Sequence, residues 1–168
     1  PGVFYVSLPN NPTGRLLPQE ELEFILDNVQ EGTRVVIDKT LVHPDQYLVL
    51  QRLCKDYADK DVVVVDSFSK SRGLVESRVG ILFAVQPWTI NSVPKYAQLP
   101  SSRGMVDAIR FLKSEWVKDE LFDKIKQSNE WLSEVEGYIP SKSNFAVIEV
   151  EDGERVTKEL AAKGYLVR

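Results

Sequence analysis

The chain has one cysteine, one histidine and one methionine in 168 residues, and each scarcity excludes something. A lone thiol, Cys54, closes no internal disulfide and favours a reducing compartment only weakly. His43 is the sole imidazole, so no cysteine or histidine spacing of the metal-ligating kind is present. A glycine-rich nucleotide loop is absent too. The net charge of −4 gives no electrostatic footprint for nucleic acid. Apolar runs fall far short of the roughly 20 residues that a membrane span needs. No signal peptide, internal repeat or low-complexity tract is visible. With 43% hydrophobic and 27% charged residues, the composition is that expected of a cytoplasmic α/β protein with a sizeable core.

What is present centres on Ser67-Phe68-Ser69-Lys70, followed by Arg78 in Arg78-Val79-Gly80. The preceding run, Asp61-Val-Val-Val-Val65-Asp66, is apolar and β-branched and reads as a strand buried on both faces. Ligands of open α/β sheets bind where such strands end. A lysine there can form a Schiff base with a carbonyl compound, and serines beside an arginine suit a phosphate dianion. Together they point to pyridoxal 5'-phosphate, an aldehyde carrying a phosphate. Two further segments bear on this. Ser7-Leu-Pro-Asn-Asn-Pro-Thr-Gly14 follows the apolar run Val3 to Val6, and its Asn, Pro and Gly mark a tight turn that can present an Asn side chain. Arg34-Val-Val-Ile-Asp38 reads as a short buried strand ending in a carboxylate that needs a partner, which a pyridinium nitrogen would supply.

The remaining pattern predicts a helix over Leu17 to Asp27 with Pro18 in its first turn, and a second over Pro44 to Tyr57. Helical periodicity resumes from about Met105 to Gly137, with a break near Ser114. A loop and strand follow over Ser141 to Val150, then a helix over Glu154 to Lys163 capped by Gly164. Taken singly, each candidate has a plainer reading. Lys70 could be a solvated surface lysine, Asn11 could serve only its turn, and Asp38 could cap the segment after it. Arg78 could pair with Glu76 or Asp66. His43 and Cys54 read as structural, as do Trp88, Trp116 and Trp131.

In order, Asn11-Pro-Thr-Gly14, Asp38, Ser67/Ser69/Lys70 and Arg78 resemble the large domain of fold-type I, class I/II aminotransferases. Pro140-Ser-Lys-Ser-Asn-Phe145 is most similar to histidinol-phosphate-type members. The resemblance implies a mostly parallel α/β sheet with flanking helices. Residues 1–104 would be the later portion of the cofactor-binding large domain, 105–137 the interdomain helices and 138–168 the start of a small α+β domain. It further implies that Asn11 hydrogen-bonds the cofactor's phenolic oxygen, Asp38 pairs with the ring nitrogen, and Lys70 carries the internal aldimine and then shuttles a proton. Ser67, Ser69 and Arg78 would hold the phosphate, and Asn144 and Arg168 would lie near the substrate. Small-molecule amino acids and 2-oxo acids would be the partners, in a homodimer.

Three residues depart from the family's pattern. Leu41 stands where many relatives place a tyrosine, Lys39 where an acid is common, and Glu76 where a small residue, usually glycine, precedes the phosphate arginine. These leave open another pyridoxal-phosphate reaction, such as a decarboxylase, lyase or oxidase. A complete enzyme of this kind is about twice as long, so the chain is expected to be a piece of a larger protein, inactive alone; a non-catalytic fragment is the third reading.

Overall fold

Valine-rich runs build the centre of the chain, and they do so because β-branched side chains pack well on a pleated, buried surface. A computed structural model describes residues 2–41, 47–70, 72–86, 100–114 and 116–167, with side chains described except at 47–51 and 116–122. Strands β1 (Val3–Ser7), β2 (Arg34–Asp38), β3 (Val62–Ser67) and β4 (Gly80–Ala84) form one sheet in that order. β1, β2 and β3 run parallel, and β4 returns antiparallel along β3. The expected mostly parallel sheet is therefore the observed one, and its fourth strand runs antiparallel.

Parallel neighbours need crossovers, and α1 (Gln19–Asn28) and α2 (Tyr47–Asp56) lie between them in sequence. α1 begins two residues later than its periodicity suggests: Pro18 is the N-cap, not a first-turn residue, and makes no side-chain cap bond. Glu20 and Glu21 then sit at the positive helix end, where acids are favoured. Leu22 and Leu26 of α1, Val35 and Ile37 of β2, and Val62 and Val64 of β3 close the main core. Each such buried side chain contributes about 1.5–3 kcal/mol relative to exposure. β3 is buried on both faces, as its unbroken valines require: Val62, Val63 and Val64 are 2–3% exposed. Cys54 lies in this core, where burial pushes its thiol up to about 11.

Behind the turn after β3, a second small core joins Phe68, Val79, Ala108 and Phe111. Its helix is α3 (Ser102–Lys113), N-capped by Ser101, whose Oγ accepts the Gly104 N–H at 3.0 Å. Gly104 is glycine because a Cβ there would lie 2.1 Å from the Ser77 carbonyl oxygen. The helical stretch does break at Ser114, and α4 (Trp116–Leu132) follows. Beyond it, β5 (Tyr138–Ile139) and β6 (Val147–Ile148) form a two-stranded antiparallel sheet, shorter than the strand expected over that region. α5 (Gly153–Ala162) is capped at its start by Asp152 and at its end by Gly164, where Tyr165 N–H reaches the Leu160 carbonyl at 2.9 Å. Among the described residues no helix is long and apolar enough to cross a membrane.

The Asn-Pro-Thr-Gly turn is docked on the serine turn after β5. Gly14 has φ +69°, and a Cβ on it would meet Ser141 Oγ at 2.0 Å. Its carbonyl accepts the Lys142 N–H at 2.8 Å. The Gly14→Ala substitution is therefore expected to cost about 2 kcal/mol or more, combining left-handed strain of roughly 1–2 kcal/mol with displacement of the serine turn. A urea-unfolding midpoint measures it.

Candidate functional site

Three strand ends deliver chemically different groups to one place. Asn11 from the turn after β1, Asp38 at the end of β2 and Lys70 after β3 all line an open cleft of about 1350 Å³. Asn144, one of the two residues expected near a substrate, lines it as well. Arg168, the other, lies outside the described residues, as do His43 and Trp88 and the side chain of Trp116. Trp131 is 73% exposed and packs in no core of the described chain.

Both carboxylate oxygens of Asp38 are engaged. Oδ1 accepts the Thr40 N–H at 2.8 Å, so the capping reading of Asp38 also holds locally. Oδ2 accepts the Tyr5 hydroxyl at 2.5 Å. That bond and the adjacent negative charge push the Tyr5 phenol up to about 12, so it stays protonated in ordinary conditions. Tyr5 escaped the sequence reading. The signal was there in retrospect: Tyr5 is two residues before Ser7, on the same face of β1, and Ser7 is the register partner of Asp38.

The turn that carries Lys70 is pinned from below. Phe68 is 1% exposed and meets the Phe111 ring edge-on, with centroids 6.1 Å apart. Lys70, two residues on, is exposed and lines the cleft. Asp66, also buried, accepts the Ser67 N–H at 2.7 Å. Arg72 grips Asp66 with both guanidinium nitrogens, at 2.8 and 2.7 Å, and donates to the Ser67 carbonyl at 2.9 Å. A planar fork suits this bidentate geometry, and the guanidinium also lies over the Phe68 ring at 5.1 Å. Asp66 is thus committed to Arg72 and to Lys39, whose Nζ is 3.2 Å away, instead of to Arg78.

Ser67 and Ser69 stand in the same turn as Lys70, with Ser67 Oγ accepting the Ser69 N–H at 3.1 Å. Neither they nor Arg78 belong to the cleft lining. Arg78 is exposed and takes φ 51° and ψ 35°, a left-handed conformation that costs a non-glycine residue of order 1 kcal/mol or more.

Lys39 is 0% exposed, and burial pulls its ammonium down to about 8, with Asp66 opposing the shift. The unfolded value near 10.5 is higher. Between these two pH values the unfolded chain holds a proton that the fold disfavours, so stability rises with pH across that window. Lys39→Met is accordingly expected to stabilise the protein by about 1–4 kcal/mol at pH 7, since Asp66 retains Arg72. The gain should fade as pH climbs through 8 toward 10.5. Urea midpoints of both proteins at three pH values test this, because other titrations cancel in the difference.

Residues 1–127 match the family model of aminotransferase class I and II, so the chain belongs to that family. The histidinol-phosphate aminotransferase of Bacillus pumilus is 32% identical across 99% of this chain and 48% of its own length. Among solved structures, the histidinol-phosphate aminotransferase from Clostridium acetobutylicum superposes with a TM-score of 0.82 at 19% identity, over 99% of this chain and 53% of that one. That from Sinorhizobium meliloti, determined in complex with pyridoxal 5'-phosphate, gives 0.76 at 19% identity, over 99% of this chain and 48% of that one. At such identities the structures establish the fold, which is that of the pyridoxal-phosphate-dependent aminotransferases. The chain spans about half the length of the relatives it matches.

The donor set suits that cofactor. A carboxylate, a neutral amide and a primary amine converge on one cleft, and they are the groups that a pyridinium nitrogen, a phenolic oxygen and an aldehyde would each require.

Proposed function

We propose that this chain forms part of a pyridoxal-phosphate-dependent aminotransferase that moves an amino group from an amino acid to a 2-oxo acid. The observation that carries the proposal is the meeting of Asn11, Asp38 and Lys70 at one cleft from three separate strand ends. Pyridoxal phosphate, when bound, supplies an aldehyde for amines and a ring that draws electron density from the substrate's α-carbon. Asp38 would hold the ring nitrogen, Asn11 the phenolic oxygen, and Ser67, Ser69 and Arg78 the phosphate. Lys70 would attach to the aldehyde carbon and, once displaced, move a proton at the substrate α-carbon as base and then acid. Asn144, on the cleft wall, and Arg168 would serve the substrate.

Leu41 favours a second reading. It lines the cleft and cannot donate a hydrogen bond, so a related reaction such as decarboxylation, elimination or oxidation on the same scaffold stays in view. The proposal includes a homodimer, a cytoplasmic setting, the division of the chain near residues 104 and 137, and inactivity of this stretch on its own. The test uses the full-length protein: add pyridoxal phosphate, reduce with borohydride, and locate the label by mass spectrometry. Label on Lys70, with stoichiometric amination of the cofactor by an amino acid, supports amino transfer. Release of carbon dioxide or ammonia supports the second reading. No label on any lysine sinks both and leaves a non-catalytic piece.

A further inference from the structure

Tyr5 presents a problem that packing does not solve. It is 58% exposed on β1, so burial of its ring is not what holds it in place. Its hydroxyl nevertheless lies 2.5 Å from Asp38 Oδ2, and its side chain lines the same cleft as Asp38, Asn11 and Lys70. The parallel register explains the reach: Ser7 pairs with Asp38, and Tyr5 sits one step back on the same face.

A carboxylate at the end of a strand is free to rotate about its terminal torsion unless both oxygens are held. One oxygen is held by the backbone of its own loop, through Thr40 N–H. The other is held from the neighbouring strand by a charge-assisted bond, the stronger kind. With one donor local and the other across the sheet, the plane of the carboxylate is set by the sheet and not by the loop alone.

We propose that Tyr5 is a positioning residue for Asp38, fixing from β1 the carboxylate that faces the cofactor's ring nitrogen; this rests on the cofactor reading above. The phenol acts only as a donor, because the same hydrogen bond keeps it protonated. It does not compete for the proton at the ring, and it leaves the carboxylate's remaining lone pairs to the ligand.

The experiment is a double-mutant cycle in the full-length protein, with Tyr5→Phe, Asp38→Ala and the double variant, read as the dissociation constant of pyridoxal phosphate and as the apo thermal midpoint. Tyr5→Phe should keep the apo midpoint within about two degrees, since the ring is exposed and only a hydroxyl is lost. It should weaken pyridoxal phosphate about tenfold, the scale of one hydrogen bond to a charged group. In the Asp38→Ala background the same change should have less than about a twofold effect, because the acceptor is gone. Wild-type affinity in Tyr5→Phe, or an equal loss in both backgrounds, overturns the proposal while leaving the cofactor reading intact. A wild-type protein that binds no pyridoxal phosphate overturns the cofactor reading, and the proposal with it. A merely structural Tyr5 would lower the thermal midpoint without the dependence on Asp38.

Discussion

Lys70→Arg in the full-length protein is expected to reduce amino transfer by about 10⁴-fold or more, the upper range for loss of a positioned proton-transfer group, with covalent attachment lost besides. Arginine keeps the positive charge and most of the reach, so a purely electrostatic role for Lys70 would survive the exchange. A role as nucleophile and base would not, because a guanidinium stays protonated at any working pH. Folding should be little affected, since Lys70 is exposed and the turn is anchored by Phe68, not by the lysine. The measurement is single-turnover conversion of bound cofactor by an amino acid, alongside borohydride trapping. Activity within tenfold of wild type, or a trapped label at some other lysine, would remove Lys70 from the centre of the mechanism. Arg78→Met offers a contrast: it should weaken the cofactor's hold while leaving trapping at Lys70 possible at higher concentration.

The convergence of Asn11, Asp38 and Lys70 could be read from the sequence because each follows a strand-like run, and the ends of parallel strands share one rim of a sheet. The break at Ser114 is legible for a similarly local reason, a lapse in the helical pattern. What stayed hidden depends on register. Tyr5 reads as one more apolar strand residue until β1 is aligned on β2, and only then does its hydroxyl face Asp38. Lys39 reads as a missing acid beside Asp38. Its partner is fixed by the pairing of β2 with β3: Asp38 lies opposite Val65, which places Lys39 next to Asp66. Arg72 carries no motif of its own: the fork that steadies the turn arrives two residues after Lys70, and only the fold brings it back onto Asp66. Likewise the demand for glycine at position 14 comes from Ser141, far along the chain.

Asp66→Ala is the substitution expected to cost the fold most, about 3–5 kcal/mol, the scale for removing one partner of a buried ion pair. Asp66 has a fully buried side chain between two cations, Lys39 at 3.2 Å and Arg72 at 2.7 Å. Without it, both would face each other in a site with little water. Their responses differ. Lys39 can shed its proton, since burial already pulls it down to about 8, whereas Arg72 cannot. Asp66 is what holds the Lys39 ammonium up against burial, so in Asp66→Ala the lysine sheds its proton below 8. The loss should therefore be partly relieved as pH rises toward 8 and stay level above it, and the double variant Asp66→Ala/Lys39→Met should be more stable than Asp66→Ala alone at pH 7. The cost should also reach the site. Asp66 accepts the Ser67 N–H and orients the guanidinium that holds the Ser67 carbonyl, so its removal frees the turn leading to Lys70. Trapping of pyridoxal phosphate at Lys70 should then weaken even at temperatures where the variant remains folded. Urea unfolding of wild type and variant at pH 6 and 8, with trapping measured on the folded protein, separates the two effects. A loss below about 1 kcal/mol would mean that water reaches Lys39 and Arg72 after all.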